Sequence, residues 1–252
     1  MAAGVMQSGY GRIKLFNDFV GAEIPVANAV AYGTTAGGCN YYLGDFAVKG
    51  DLGQTDTGVV ALSKANGFVR VSGSDINGKG VSIGTEICWS ASLNGTLVLE
   101  TRLEMQALTT RVVWAGFCGT HADDVAEPVT STGTTLTLVA TDLCGFIFDS
   151  QLTSGAWHMP YKGGSATGPT LSTTVQSTVS PVTAECDVLR VEIYPNGTAN
   201  WYINGDLAQS VAGAVSTTAL LSGFVACFGT TTTAADADVD YLAIEANRDW
   251  NR

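Results

Sequence analysis

The chain has little charge and little of the chemistry that charge brings. Only 14% of its 252 residues are charged, against about a quarter in an average soluble domain, and there are two histidines. Acidic residues outnumber basic ones by 23 to 12, which gives a net charge of −11 and an isoelectric point near 4.4. Nucleic acid and anionic membranes would repel such a chain, so the sequence predicts neither as a partner.

The motifs of the common catalytic and metal centres are missing or out of context. There is no HExxH and no Cys-x-x-Cys pair; GVSIG at 80–84 has the GxSxG spacing, but it follows an Asn-Gly turn and lacks the strand-to-helix context of a nucleophile turn. The six cysteines are scattered singly, most of them inside apolar runs, and Cys118 alone has a histidine close in sequence, His121 three positions on. We therefore expect buried thiols rather than disulfides or metal ligands, and we predict no catalytic residue and no cofactor.

Long apolar runs are absent as well. No run reaches the 18 residues of a membrane-spanning helix. The opening MAAGVMQSGYGR has neither the basic start nor the apolar stretch of a secretory signal. We expect the chain to be made in a cytoplasm.

What the sequence does contain is a set of turn signals between alternating segments. Asn and Gly tolerate the positive φ angles of tight two-residue hairpin turns, so an Asn-Gly pair between alternating runs predicts a β-hairpin. Five such pairs occur, at 66–67, 77–78, 94–95, 196–197 and 204–205. No helix of normal length is apparent, and the chain is predicted to be all-β.

The apolar pattern divides the strands into two kinds. LVLETRLEMQ, from residue 97, places Leu and Met on one face and charged residues on the other, which indicates a strand with one buried face. Residues 188–211 repeat this pattern in three strands and predict a meander. RVVWAGFCG, LCGFIFDSQ and LLSGFVACFG are apolar on both faces, as strands in the middle of a stacked sandwich are.

Composition does not shift along the chain, so we predict one β-sandwich domain over residues 15–252 after an N-terminal arm over 1–14. Three stretches rich in Thr, Ser, Gly and Ala are predicted loops, at 129–137, 163–180 and 229–235. We predict that the loop at 129–137 and the arm residues Tyr10, Arg12 and Lys14 bind a partner. Ordering of the arm against the chain's own sandwich is the alternative.

The order of LFNDFVG, DVLRVEIYPNGTANWYINGDLAQSV, GFVACFGT and DVDYLAIE resembles the concanavalin-A-like jelly-roll sandwich of two antiparallel sheets, over roughly residues 15–246. The acidic version with Thr- and Gly-rich loops resembles the capsid decoration, or cement, proteins of tailed bacteriophages. That resemblance implies a non-enzymatic virion protein on the outer capsid surface. Its partners would be the major capsid protein and copies of itself, as a dimer or trimer.

Sandwiches of this class also include glycoside hydrolases, whose carboxylates follow a Glu-x-Asp-x-Glu pattern on one strand face. Two segments come closest. Glu100, Arg102 and Glu104 place a cation where the middle Asp belongs, which favours an ionic ladder on a solvated face. The second segment, three aspartates near residue 238, contains no Glu. Hydrolase activity is therefore the least favoured alternative.

The three aspartates of that second segment, Asp236, Asp238 and Asp240, share one face of a predicted strand. Their mutual repulsion would favour a counter-ion, and carboxylate oxygens are the ligands that Ca²⁺ prefers. An acidic outer face without metal is the alternative, and it is the one we favour.

A lectin-like, carbohydrate-binding module is the main alternative to the decoration role. The segment AWHMPY brings Trp157, His158 and Tyr161 together, and such an aromatic surface could stack on a sugar ring. Packing in the core or in an interface is the other interpretation. His121, with acidic neighbours up to Glu127, is predicted to lie in a solvated turn.

Overall fold

The computed structural model describes residues 11–21, 41–50, 58–122, 124–231 and 235–248. These residues form an all-β structure with one short α-helix, α1 (Ala91–Asn94), and one 3₁₀ turn (Ser172–Thr174), both far too short to span a membrane. In chain order the strands are β1 (Arg12–Asn17), β2 (Tyr41–Leu43), β3 (Phe46–Gly50), β4 (Gly58–Leu62), β5 (Phe68–Gly73), β6 (Gly80–Gly84), β7 (Leu97–Glu104), β8 (Arg111–Cys118), β9 (Val129–Thr132), β10 (Thr135–Leu138), β11 (Leu143–Asp149), β12 (Tyr161–Lys162), β13 (Cys186–Ile193), β14 (Ala199–Ile203), β15 (Asp206–Val211), β16 (Ser222–Gly229) and β17 (Ala235–Asn247).

The strands form two stacked antiparallel sheets and a small hairpin. The first sheet, which we call the open sheet, has the order β15-β14-β13-β7-β17-β5-β4, and β1 pairs with the second half of β17. The second, the covered sheet, has the order β12-β11-β8-β16-β6-β3-β2. Strands β9 and β10 pair with each other and form the hairpin. The predicted sandwich of two antiparallel sheets is confirmed.

The open sheet has one buried face and one face toward solvent. In β7 buried and half-buried residues alternate along the whole strand, with Leu97, Leu99 and Leu103 inside. The predicted meander is confirmed as β13-β14-β15, in which β13 and β14 show the same alternation. The inward residues of this sheet pack against the covered sheet and form the main core.

The covered sheet is buried on both faces. The three segments predicted to be core strands are β8, β11 and β16, and they lie side by side at its centre with every residue buried. On their outer face lies a second core, which includes Trp114, Ile147 and Phe224 and is closed by side chains from the β9–β10 hairpin and from residues 150–180.

Three of the five Asn-Gly pairs form the predicted hairpins, namely 66–67 between β4 and β5, 196–197 between β13 and β14, and 204–205 between β14 and β15. The other two predictions are wrong. The pair at 77–78 lies between β5 of the open sheet and β6 of the covered sheet, so it crosses between layers. The pair at 94–95 ends α1, where Gly95 has a φ of 68°.

Two predicted boundaries also change. The loop expected at 129–137 is the β9–β10 hairpin, because alternate residues of an uncharged, Thr-rich segment pack into the second core. The first strand begins at Arg12 rather than Leu15, because its backbone pairs with β17 from Asn247 onward. Tyr10 lies outside the described residues.

Candidate functional site

A groove of about 290 Å³ lies on the solvent face of the open sheet. Alternation along β7, β13 and β14 turns its side chains outward from a rigid sheet. It is lined by Glu100, Val188, Arg190, Glu192, Tyr202 and Gly205.

Arg190 links the two carboxylates of the groove. Its Nε and Nη2 atoms donate to Glu192 Oε1 at 2.8 and 2.6 Å, and its Nη1 donates to Glu100 Oε2 at 3.1 Å. The Tyr241 hydroxyl donates to the other oxygen of Glu100 at 2.8 Å. Burial and the hydrogen bond to Glu100 raise the pKa of Tyr241, so this phenol stays a neutral donor. Both carboxylates are thereby held in place.

Two further tyrosines border these carboxylates. Tyr194 donates to Glu192 Oε2 at 2.7 Å, and that bond raises the pKa of Tyr194 to about 12. The Asn200 amide nitrogen lies 3.4 Å from the Tyr194 hydroxyl and 3.3 Å from the Tyr202 hydroxyl. Its oxygen, Oδ1, has no hydrogen-bond partner among the described residues. The groove is therefore lined by one aromatic ring, that of Tyr202, and by charged groups, while Tyr194 and the Asn200 amide lie beside them.

The ladder predicted on β7 is confirmed. Glu100 pairs with Arg190, Arg102 pairs with Asp240 at 2.5 Å, and Glu104 pairs with Lys64 at 2.5 Å. All of these cations belong to the chain itself. The middle cation that made this segment a poor match to a hydrolase strand is thus part of an ion-pair network.

The aspartates of β17 do not form the uncompensated cluster that would favour a bound cation. Asp238 is fully buried and contacts Arg70 at 2.8 Å and Lys64 at 2.6 Å. Burial alone would raise the pKa of Asp238, but the hydrogen bonds from these two cations outweigh it and lower the pKa. Asp240 pairs with Arg102. Lysine and arginine side chains supply the compensation that a counter-ion would otherwise provide.

The aromatic sugar-contact surface predicted around residue 158 is wrong for two of its three members. Trp157 and His158 are fully buried, because the backbone of His158 pairs with Ile147 of β11 and draws the segment into the sandwich. The indole of Trp157 donates to Asp187 at 2.8 Å, and burial lowers the pKa of His158 to about 4. Tyr161 is half-buried. The alternative, core packing, describes this segment.

His121 is not in a solvated turn either. It is buried, its ring stacks on Phe224 with centroids 4.4 Å apart, and its nitrogens bond to Ser82 Oγ at 2.8 Å and Thr85 O at 2.9 Å. Burial and the nearby charge of Lys49 lower the pKa of His121 to about 4. The imidazole is therefore buried, neutral and hydrogen-bonded to the Ser82 hydroxyl.

Arg12 and Lys14 both contact Glu245 of β17 at 2.8 Å. The hydrogen bond from Lys14 and the charge of Arg12 lower the pKa of Glu245. The described part of the arm is therefore ordered against the chain's own sandwich, as the alternative proposed. Binding of a partner by these residues stays a prediction.

Sequence reasoning missed the tyrosines of the groove, although a signal for them was present. Once Leu189, Val191 and Ile193 are assigned to the core, the intervening positions must face solvent. Those positions carry Arg190 and Glu192, and the following strand places Tyr202 beside Arg190 in register. The AWHMPY segment indicates an aromatic surface more strongly, because its aromatic residues are close together in the sequence.

Comparison with known proteins supports the fold. No protein-family model and no curated protein sequence matches this chain. Among solved structures, a Shewanella oneidensis protein of unknown function, SO2946, matches with a TM-score of 0.59 and 14% identity, over 99% of this chain and 92% of its own. A Bacillus licheniformis β-glucanase matches with a TM-score of 0.54 and 12% identity, over 94% and 99%.

A lichenase, a β-1,3-1,4-glucanase derived from a mouse hindgut metagenome, matches with a TM-score of 0.51 and 13% identity, over 82% of this chain and 96% of its own. The chain therefore has the concanavalin-A-like sandwich that these glucanases share. None of the three is identified as a capsid protein. At these identities the likeness establishes the fold and nothing finer.

Proposed function

We propose that this protein is a non-enzymatic carbohydrate-binding module that holds a glycan on the solvent face of its open sheet. The observation that carries the proposal is the groove in which Tyr202 lies beside the Arg190-linked carboxylates. An aromatic ring can stack on the apolar face of a sugar, while carboxylate and amide groups beside it exchange hydrogen bonds with the hydroxyls.

The architecture favours this face over the other one. The outer face of the covered sheet packs under the β9–β10 hairpin and residues 150–180, so its described part is not available to an extended ligand. The fold adds support, because it is shared with β-glucanases, proteins that act on polysaccharide.

The geometry supports binding rather than hydrolysis. A glycosidase needs one carboxyl group free to protonate the leaving oxygen and a second one that acts as base or nucleophile. Both carboxylates of the groove are ion-paired with Arg190, and Glu100 also accepts the Tyr241 hydrogen bond. A Glu-x-Asp-x-Glu segment is absent from the sequence.

The test is retention on a panel of β-glucans and other polysaccharides, by affinity electrophoresis and pull-down. Replacing Tyr202 by alanine removes a stacking ring worth about 1 kcal/mol, so we expect roughly a five- to tenfold loss of affinity. Arg12→Ala, on the same sheet but outside the groove, is the matched control. Equal retention of the two variants, or release of reducing ends by the wild type, would contradict the proposal.

A second candidate is the decoration of a virus shell, in which the chain binds the major capsid protein and copies of itself on the outer surface of a virion assembled in a host cytoplasm. The net charge of −11 favours an outward position, away from nucleic acid. An apolar groove of about 320 Å³ beside Leu136, Leu138 and Pro169 gives a contact surface, and Val139 next to it is 53% exposed. Quantitative mass spectrometry of purified particles tests this candidate, and absence from them would exclude it.

A further inference from the structure

A second concave site lies on the other side of the molecule, at the β9–β10 hairpin. It is a cavity of about 210 Å³ bounded by the hairpin, the end of β11 and the turn before β6. Its described lining is polar throughout, without an aromatic or aliphatic side chain and without a lysine or arginine. The lining residues are Asn77, Glu127, Thr130, Ser131, Thr132, Thr135, Thr137 and Gln151.

The threonines form an ordered array of hydroxyl groups. Thr130 lies opposite Thr137 and Thr132 lies opposite Thr135 in the antiparallel register, so all four are on the same exposed face of the hairpin. The residues between them pack into the second core, Leu136 among them, which fixes the hairpin against the covered sheet. The array is therefore presented by a rigid support.

Glu127 supplies an acceptor that the protein leaves unused. Its Oε1 atom is buried and has no hydrogen-bond partner among the described residues. The neighbouring Asp149 differs, because it accepts hydrogen bonds from the Ser131 hydroxyl and the Gln151 backbone N–H. A buried, unpaired acceptor costs free energy that a donor brought by a ligand would recover.

The lining selects the class of ligand. Without apolar side chains the cavity offers nothing to a hydrophobic molecule, and two nearby carboxyl groups without a cation in the lining disfavour anions. Hydroxyl and amide groups both donate and accept, as the hydroxyls of a sugar do. The volume is below the roughly 300–1,000 Å³ of sites for drug-sized ligands, which suits one ring rather than an oligosaccharide.

We propose that this cavity binds a single neutral sugar ring, with Glu127 Oε1 accepting a hydroxyl hydrogen and the threonine array pairing with the remaining hydroxyls. The inference rests on the proposed function for its class of ligand, whereas its location and residues are independent of the groove on the open sheet. The protein would then recognise an end or a branch of a glycan separately from the chain held in the groove.

The experiment is ligand-observed NMR with a panel of neutral monosaccharides, supported by calorimetric titration. Glu127→Ala removes the acceptor, and Thr132→Val removes one hydroxyl while keeping the shape of the side chain. Each is expected to weaken monosaccharide binding roughly tenfold. Thr183→Val, at an exposed threonine outside the lining, is the matched control and should bind as the wild type does. Circular dichroism confirms that each variant is folded.

Tyr202→Ala separates the two proposals. Monosaccharide binding that survives this change and is lost in Glu127→Ala supports the inference, whether or not polysaccharide is retained. Wild-type protein that retains polysaccharide but binds no monosaccharide overturns the inference and leaves the proposed function standing. Monosaccharide binding that depends on Tyr202 and not on Glu127 also overturns it. So does Ca²⁺ binding at Glu127 that excludes sugar, and binding of neither ligand overturns both proposals.

Discussion

Two buried acidic sites in this molecule have opposite electrostatic surroundings. On the open sheet, Asp238 is fully buried between Arg70 and Lys64, and its pKa is lowered. At the hairpin cavity, burial and the nearby Asp149 raise the pKa of Glu127 to about 7, and no lysine or arginine lines the site in the described part of the chain.

The difference shows where this chain uses its few cations. It has only 12 lysines and arginines, and six of them pair with carboxylates on the open sheet. A buried carboxylate that is paired with a cation stabilises the fold, and its oxygens have few hydrogen bonds left to offer a ligand. A buried carboxylate without a cation is costly to ionise, and its oxygens stay able to accept hydrogen bonds from a ligand.

Removing the compensation at Asp238 is expected to have the largest effect. In Arg70→Met the buried carboxylate keeps Lys64 as its cation and a hydrogen bond from the Gln106 amide at 3.3 Å. We expect a loss of about 2–3 kcal/mol in the free energy of unfolding at pH 7, reduced from the full burial cost because Arg70 is partly exposed. Urea titration measures this loss.

The effect of Arg70→Met also depends on pH. Because the pKa of Asp238 is lowered in the folded protein, the contribution of its ion pair to stability is present above the unfolded pKa, near 3.8, and is lost as pH falls through the folded pKa. The gap between variant and wild type should therefore narrow below about pH 4.

If Arg70→Met lowers the free energy of unfolding no more than removal of an exposed ion pair does, Asp238 is not a buried carboxylate whose charge Arg70 compensates.

At the cavity we expect a substitution to raise the free energy of unfolding rather than to lower it. Between the ordinary pKa of 4.5 and about 7, folded Glu127 binds more protons than the unfolded chain does, so its contribution to stability falls as pH rises through this window. Glutamine does not ionise. We expect Glu127→Gln to gain about 1–2 kcal/mol over the wild type at pH 8 and little at pH 5, below the upper bound of about 3 because the side chain is partly exposed. Thermal unfolding at both pH values checks this, and an equal difference at the two would contradict it.

The smallest effect is expected at the edge of the same open sheet. Lys14 and Arg12 share Glu245 in exposed geometry, so Lys14→Met should change the free energy of unfolding by less than about 0.5 kcal/mol. Urea titration beside Arg70→Met measures the contrast between an exposed and a buried pair directly. A Lys14→Met loss as large as that of Arg70→Met would remove burial as the reason for the difference.

Much of the fold was predictable from local pattern. Alternation identified the open-sheet strands, continuous apolar runs identified the centre of the covered sheet, and Asn-Gly pairs located three hairpins. The final strand shows where local pattern stops being sufficient. Val239 pairs with Leu103 and Tyr241 pairs with Arg102, so Asp240 is an extra residue in a β-bulge. Before Asp240 the even-numbered residues of β17 face outward, and after it the odd-numbered ones do. A strict alternation of inward and outward residues does not predict this change.

The candidate sites were less predictable, because each depends on contacts between distant segments. The groove needs β7, β13 and β14 to lie side by side, and the cavity needs the hairpin to fold over β11. Trp157 reads as a surface aromatic from its neighbours in sequence, yet its indole reaches Asp187, thirty positions away. Burial of this kind is set by strand order, which no local pattern encodes.

The place of β17 in the open sheet has a consequence for synthesis. This strand is the last described one in the chain, yet it lies between β7 on one side and β5 and β1 on the other. During synthesis β1, β5 and β7 leave the ribosome before β17 does. They cannot be joined into one sheet until β17 has also emerged, because β17 is the strand that pairs with all three. Folding of this sheet therefore waits for synthesis of β17, and until then the edges of β1, β5 and β7 that pair with it stay open to pairing with other chains.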